Sequence, residues 1–220
     1  MFKLGKRTIR TILMRCFLSF QLPIHKIGMT ERVLLICCEG KETECQYFNA
    51  IKNQYRISQG SVRVKVIGGL GQHKRLIDES VVHRTQLVEK YGLCDKDIEV
   101  WAVCDNDDMS IAYIDLLKYA KENGVKLAFS DPAFEIYLLQ HFGFRASTAN
   151  RAELNKILTR KIGKNYNKAD LAWFVDMIYN NPKILQTVIQ NCHRISNPDN
   201  VPSTTVHLLV ERLLKMAPKT

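Results

Sequence analysis

Residues 33–48, VLLICCEGKETECQYF, decide how the rest of the chain is interpreted. Residues 33–38 are all apolar or thiol, which is the composition of a strand buried in a parallel sheet. The run stops at Glu39 and Gly40, and apolar residues then recur at helical spacing. We therefore predict a strand, a Glu-Gly turn and a helix with Thr43 as its N-cap. Open α/β sheets bind their ligands at the carboxyl ends of such strands, so chemistry is expected around Glu39.

Three later segments also have the composition of strands, and a helical pattern follows each of them. The strand-like segments are residues 61–67, 98–104 and 125–129, and the helical ones are residues 72–90, 111–122 and 133–142. Strands that alternate with helices predict an α/β fold, with a mostly parallel sheet of about four strands flanked by helices.

A polar break at residues 143–150 separates this alternating part from a helical C-terminal part. Helices are predicted from residue 150, where Asn150 and Glu153 resemble a capping pair, and over residues 168–179, 182–195 and 203–216. We divide the chain into a basic N-terminal extension (1–28), an α/β core (29–145) and a helical region that packs on the core (146–220).

The distribution of charge and the spacing of the cysteines limit the kinds of protein that this chain can be. The net charge is +10, but six of the 32 basic residues lie in residues 1–28, which contain no acidic residue. That segment is interpreted as an extension or as a basic arm that contacts nucleic acid, and Arg15 interrupts its apolar stretch, which argues against a secretory signal. The seven cysteines include no C-x-x-C pair, so neither a disulfide framework nor a thiolate zinc site is indicated. We expect a cytoplasmic protein without a membrane span.

Two further carboxylates, Asp105 and Asp107, follow the third predicted strand. Because right-handed crossovers bring the carboxyl ends of parallel strands to one edge, Glu39 should lie near this pair. Carboxylates packed closely repel one another, and Mg²⁺ or Mn²⁺ would relieve that repulsion. The alternative is that these acids only solvate a turn and cap the next helix.

Two other features leave alternatives open. The glycines of residues 68–71 resemble a phosphate-binding loop, but the loop lacks the P-loop ending, and a tight turn without a ligand is favoured. Residues 151–168 contain six basic residues, and the one acidic residue among them is Glu153. This segment is interpreted either as a nucleic-acid-binding patch or as a solvated helix face.

Several motifs together resemble the RloB-like family, whose fold is similar to the Toprim fold of topoisomerases, primases and overcoming-lysogenization-type nucleases. The motifs are E-G-x-x-T-E-x-x-Y-F at 39–48, D-x-D at 105–107, S-x-P-x-F-E-x-x-L-L-x-H-F at 130–142, Tyr166 with Lys168, and P-S-T-x-V-H at 202–207. The resemblance implies a Toprim-like core and a metal-dependent nuclease of prokaryotic anti-phage defence or abortive infection. It also implies an ATPase partner and a nucleic-acid substrate, either RNA or DNA, and a homodimer is an open expectation.

The hypothesis assigns a role to each candidate residue. Asp105 and Asp107 hold the divalent ion, and Glu39 binds it through water or acts as general acid/base. Glu44 and Glu135 complete the metal shell, and Lys41 or Lys168 stabilises the phosphate charge. Further candidates are His141 and His207. The alternative function is a non-catalytic module that binds nucleic acid or the ATPase partner.

Overall fold

The computed structural model of the chain describes residues 32–57, 62–106, 111–146 and 150–218. Two parts of the sequence-based interpretation, the extension at residues 1–28 and the placement of Asp107, lie outside the described residues. Among the described residues, no helix has both the length and the apolar composition that crossing a membrane requires.

Strand β1, Arg32–Cys38, lies near the middle of a five-stranded sheet. It pairs in parallel with β2 (Val62–Gly68) on one side and with β3 (Ile98–Asp105) on the other. Its residues from Leu34 to Cys38 are completely shielded from solvent. The apolar run seen in the sequence is therefore that of a central strand covered on both faces.

Strand β4, Val125–Asp131, continues the parallel sheet next to β3, and β5, Ser203–Thr204, pairs with β4 in the antiparallel direction. The spatial order is β2-β1-β3-β4-β5. The predicted α/β class and the mostly parallel sheet are confirmed. The sequence analysis did not predict β5, because a strand of two residues has no periodicity to detect.

Eight α-helices are described by the structure. They are α1 (Thr43–Gln54), α2 (His73–Tyr91), α3 (Tyr113–Glu122), α4 (Phe134–Leu139), α5 (Arg151–Ile162), α6 (Ala172–Asn180), α7 (Ile184–His193) and α8 (Val206–Leu214). The predicted capping pair of Asn150 and Glu153 is confirmed at the start of α5. The predicted N-cap at Thr43 is wrong by one residue: Glu42 precedes the helix, and the Thr43 hydroxyl donates instead to the Lys168 carbonyl at 3.1 Å.

Helices cover both faces of the sheet. Leu34, Ile36 and Cys38 of β1 enter a core that includes residues of α1 and of α4 through α8. Val33, Leu35 and Cys37 point the other way, into a core that includes residues of α2 and α3. Since side chains alternate along a strand, one apolar strand supplies both cores. The domain boundary at residues 145–146 stays a prediction, and residues from both sides of it share the first core.

Aromatic rings join the C-terminal helices to the sheet. Tyr47 of α1 stacks on Phe174 of α6 with ring centroids 4.4 Å apart. Its hydroxyl lies 2.7 Å from the hydroxyl of Tyr137 in α4. Tyr47 thus contacts helices that precede and follow the polar break, and such aromatic contacts add to the stabilisation from burial.

This packing predicts that Phe174→Ala lowers the free energy of unfolding by about 3–5 kcal/mol, because a fully buried ring would be replaced by a cavity. Urea denaturation measures the effect. The adjacent Val175 is 46% exposed, so Val175→Ala serves as the control and should change the stability by less than about 1 kcal/mol. A Phe174→Ala variant as stable as the control would contradict the packing of α6 described here.

Candidate active site

Glu39 and Asp105 meet at the carboxyl edge of the sheet because their strands are parallel neighbours. Cys38, the last residue of β1, is in register with Val103 of β3. The Glu39 amide continues the ladder by donating to the Val103 carbonyl at 3.1 Å. The Glu39 carboxyl group therefore lies beside the end of β3, close enough to the backbone of Asp105 for that backbone to lower its pKa.

A cavity of about 430 Å³ lies at this edge and gathers most of the predicted site residues. Its acidic lining residues are Glu39, Glu42, Glu44, Asp105 and Glu135, and its basic ones are Lys41, Arg151 and Lys168. The acids come from the ends of β1 and β3 and from the first turns of α1 and α4. Residues as far apart in the chain as Glu39 and Lys168, 129 positions, thus form one charged site.

Two glycines allow the chain to fold closely around the cavity. A Cβ on Gly40 would lie 2.6 Å from Glu44 Oε2, so only glycine lets that carboxylate fold back against the turn. Gly69 has φ +76°, and a Cβ there would lie 2.6 Å from Cγ of Lys41. The positive φ supports the tight-turn interpretation of residues 68–71.

Basic side chains partly neutralise the two most buried acids. Arg151 Nη2 lies 2.7 Å from Asp105 Oδ2, and Arg151 Nε lies 4.0 Å from Glu135 Oε2. Lys168 Nζ lies 3.6 Å from Glu135 Oε1, which also accepts a hydrogen bond of 3.2 Å from the Tyr166 hydroxyl. The sequence analysis did not single out Arg151 as a site residue, and the basic run at residues 151–168 was its sole signal.

The remaining electrostatics favour protonated carboxyl groups. Burial raises the pKa of Asp105 well above its usual range, the charges of Glu44 and Glu135 raise it further, and Arg151 lowers it. Burial also raises the pKa of Glu44, with a further increase from Glu135. For Glu39, burial raises the pKa, and the Gln72 side chain and the Asp105 backbone partly offset that increase. Negative charge on these carboxyl groups is therefore unfavourable unless a further cation stabilises it.

Two oxygen atoms in this site fit a bound cation. Glu39 Oε2 and Asp105 Oδ1 are both buried and have no hydrogen-bond partner within the described part of the chain. A buried carboxylate oxygen without a partner is costly, and a divalent cation is the natural partner for two of them. The residues present thus match Mg²⁺ or Mn²⁺ in donor type, and Glu44 and Glu135 line the same cavity. Among the described residues, no three acids of this cavity have ligand atoms within 4.8 Å of one another.

The structure does not bring the two histidine candidates to this cavity. His141 is buried among aromatic rings, where its Nδ1 lies 3.0 Å from the Leu138 carbonyl and its Nε2 lies 3.3 Å from the Tyr47 hydroxyl. Burial lowers the pKa of His141 to about 4. His207 lies in α8, and burial lowers its pKa to about 4 as well. Asp107 lies outside the described residues, so its predicted role as a metal ligand stays a prediction.

The raised pKa of Asp105 predicts how stability depends on pH. Because the folded-state pKa lies above the unfolded-state value, the unfolded chain loses its proton first as the pH rises. The stability that this group contributes is therefore complete below about pH 4 and is lost as the pH rises toward the folded-state pKa. In metal-free buffer, Asp105→Asn should remove part of this loss and be at least as stable as wild type at pH 7.5.

Urea denaturation at pH 5.5 and pH 7.5 measures this difference, with Asp176→Asn on the exposed face of α6 as the control. The control should follow wild type at both pH values. An Asp105→Asn variant with the same pH dependence as wild type would show that the pKa of Asp105 is not raised in the folded protein.

Comparisons with known proteins agree with the motifs found in the sequence. The family model described as "RloB-like protein" matches residues 34–213, a range that includes every residue lining the cavity. No curated protein matches the chain, and no solved structure matches it. The match covers most of the chain, from β1 into α8. The chain therefore belongs to the RloB-like family.

Proposed function

We propose that this protein is a metal-dependent phosphodiesterase that cleaves nucleic acid. The observation that carries the proposal is a pair of buried carboxylate oxygens, Glu39 Oε2 and Asp105 Oδ1, that have no hydrogen-bond partner among the described residues. Both residues line one cavity at the carboxyl edge of the sheet. A sheet needs no acids at that edge for its own stability, and their raised pKa values show that holding them there is unfavourable. Such groups are typical of functional sites.

Glu39 and Asp105 would hold Mg²⁺ or Mn²⁺, and Glu44, Glu135 and Asp107 are candidates to complete its ligands. When bound, the ion would neutralise the phosphodiester and stabilise the charge that develops on the leaving oxygen. Both ions prefer the carboxylate oxygens that this cavity offers.

The chain's own residues would bind the substrate and move the proton. Lys41 is exposed, and the Lys168 side chain is 46% exposed, so both ammonium groups can reach a phosphate at the mouth of the cavity. The alternative role of Glu39 is a general acid/base, which its raised pKa suits, and in that role its carboxyl group contacts the ion only through water. Arg151 neutralises Asp105 in the protein without substrate, and its planar guanidinium also suits a phosphate.

The surroundings of the cavity favour a polymeric substrate over a small phosphate ester. Helix α5 begins at Arg151 and continues with exposed basic residues, among them Lys156 and Arg160. These two side chains line a second groove together with Asn155, Thr159 and Asn165. Basic side chains of α5 therefore line both the carboxylate cavity and this second groove, as expected for contact with a phosphate backbone.

One observation favours the alternative, a non-catalytic module that binds nucleic acid or a protein partner. Arg151 already pairs with one oxygen of Asp105 at 2.7 Å, so part of the charge is satisfied without a metal. Isothermal titration with Mn²⁺ separates the two functions. Binding at micromolar to low millimolar ion that is lost in Glu39→Gln supports the enzyme, and no Glu39-dependent binding at millimolar ion supports the module.

The biological setting is a proposal that rests on the family motifs alone. We propose a role in prokaryotic anti-phage defence or abortive infection, with an ATPase as partner and RNA or DNA as substrate. The groove lined by Lys156 and Arg160 is compatible with either polymer.

The function predicts that purified protein cleaves labelled RNA or single-stranded DNA with Mn²⁺ and not with excess EDTA. Glu39→Gln should lower the cleavage rate by about 100-fold or more, because it removes both a candidate ligand and the group that exchanges the proton. Gel assays over a time course measure the rate, and the unfolding midpoint of the variant establishes that it is folded.

Glu89→Gln, on the exposed side of α2, is the matched control and should cleave at the wild-type rate. Full activity in Glu39→Gln, or cleavage that EDTA does not affect, would rule out the proposed mechanism.

A further inference from the structure

A second group of metal-binding side chains lies in the C-terminal helices. His193 ends α7, and His207 and Glu211 lie one turn apart near the start of α8. One potential ligand atom from each residue can be chosen so that all three lie within 4.8 Å of one another. None of the three lines the carboxylate cavity, so this cluster is separate from the site of the proposed function.

The local fold explains why these residues meet. Residues four apart on a helix lie on the same face, so His207 and Glu211 both face α7. The rings of His193 and His207 are 4.6 Å apart and inclined at 72°. The cluster therefore depends on how α7 packs against α8, and α8 begins directly after the edge strand β5.

The most informative residue in the cluster is His207. It is 1% exposed, and neither of its ring nitrogens makes an aligned hydrogen bond in the part of the chain that the structure describes, although the Thr204 backbone lies close enough to raise its pKa. Leaving a buried polar group without a partner costs roughly 1–3 kcal/mol. A buried histidine in this state is unfavourable unless another group or an ion binds one of its ring nitrogens.

One carboxylate oxygen of Glu211 is in the same situation. The Oε1 atom of Glu211 lies 3.0 Å from His193 Nε2, yet this oxygen is buried and has no aligned hydrogen bond to any described residue. An ion pair between protonated His193 and Glu211 would account for those two residues, but it would leave His207 without a partner. A cation between the three groups would bind one atom of each residue, including one of the two ring nitrogens of His207.

We propose that His193, His207 and Glu211 bind one divalent transition-metal ion, with Zn²⁺ as the best match. Imidazole nitrogen and carboxylate oxygen are zinc ligands, whereas Mg²⁺ and Ca²⁺ prefer oxygen alone. Tetrahedral zinc with ligands at about 2.0–2.1 Å places those ligands about 3.4 Å apart. The potential ligand atoms lie within 4.8 Å of one another, so any pair farther apart than about 3.4 Å must move inward. His193 can adjust because it is half exposed at the end of its helix.

The ion would stabilise the packing of α7 on α8. Three protein ligands leave a fourth position for water, and the exposed His193 gives the ion a path from solvent. A ligand that binds the folded chain and not the unfolded chain raises stability in proportion to the logarithm of its concentration. Zinc should therefore raise the melting temperature of the protein, whether or not the carboxylate cavity binds its own ion.

The test is titration of the full chain with ZnCl₂ after treatment with EDTA, followed by calorimetry and by thermal unfolding. We expect wild type to bind one Zn²⁺, and His193→Ala and Glu211→Gln to bind it at least about tenfold more weakly. Both positions are partly exposed, so these variants should fold even if His207→Ala does not. Glu39→Gln should keep zinc binding, which separates this site from the proposed active site.

Two controls exclude adventitious binding. His83→Ala removes a partly exposed histidine of α2, and Cys94→Ser removes an exposed thiol. Both variants should bind zinc as wild type does. X-ray absorption at the zinc edge should show nitrogen and oxygen ligands near 2.0–2.1 Å without the longer zinc–sulfur distance near 2.3 Å. Wild-type zinc affinity in both His193→Ala and Glu211→Gln, or a zinc–sulfur shell, would overturn the proposal.

Discussion

Repulsion among carboxyl groups in a half-buried cavity is the constraint on which this site depends. Asp105 is 6% exposed and Glu135 is 2% exposed, and the two face each other and Glu44 across the same space. Isolated buried carboxylates would become protonated, because the interior solvates their charge poorly. Arg151 and Lys168 reduce the repulsion, but one oxygen each of Glu39 and Asp105 still has no hydrogen-bond partner in the described ranges of the chain. An arrangement that is unfavourable by itself is most simply explained by a cation that completes it.

The fold supplies rigid support for this unfavourable arrangement. The ladder between β1 and β3 extends as far as Glu39, so the backbone of both acids is held by the central strands of the sheet. Gly40 then allows the chain to turn back, and α1 carries Glu44 to the same cavity. A site mounted on strand ends and first helical turns keeps its geometry better than one mounted on loops. Two large apolar cores, one on each face of the sheet, offset the free energy that burying these carboxyl groups costs.

Much of this arrangement could be predicted from the sequence because it follows from local patterns. The apolar run of β1 and the alternation of strands and helices predicted the sheet, and parallel pairing placed Glu39 beside Asp105. Contacts set by tertiary packing were not predictable. Arg151 lies 46 positions from Asp105 in the chain, and nothing in its spacing indicates that they pair. The zinc ligands His207 and Glu211 share a helical face, but His193 joins them only through the packing of two helices.

The most direct test of the central claim is a crystal structure of the full chain grown with Mn²⁺, with the ion located by its anomalous scattering. The account predicts an anomalous peak in the carboxylate cavity, within about 2.0–2.3 Å of carboxylate oxygens of both Glu39 and Asp105. Millimolar Mn²⁺ with no peak in the cavity, and with Asp105 still paired to Arg151, would contradict it.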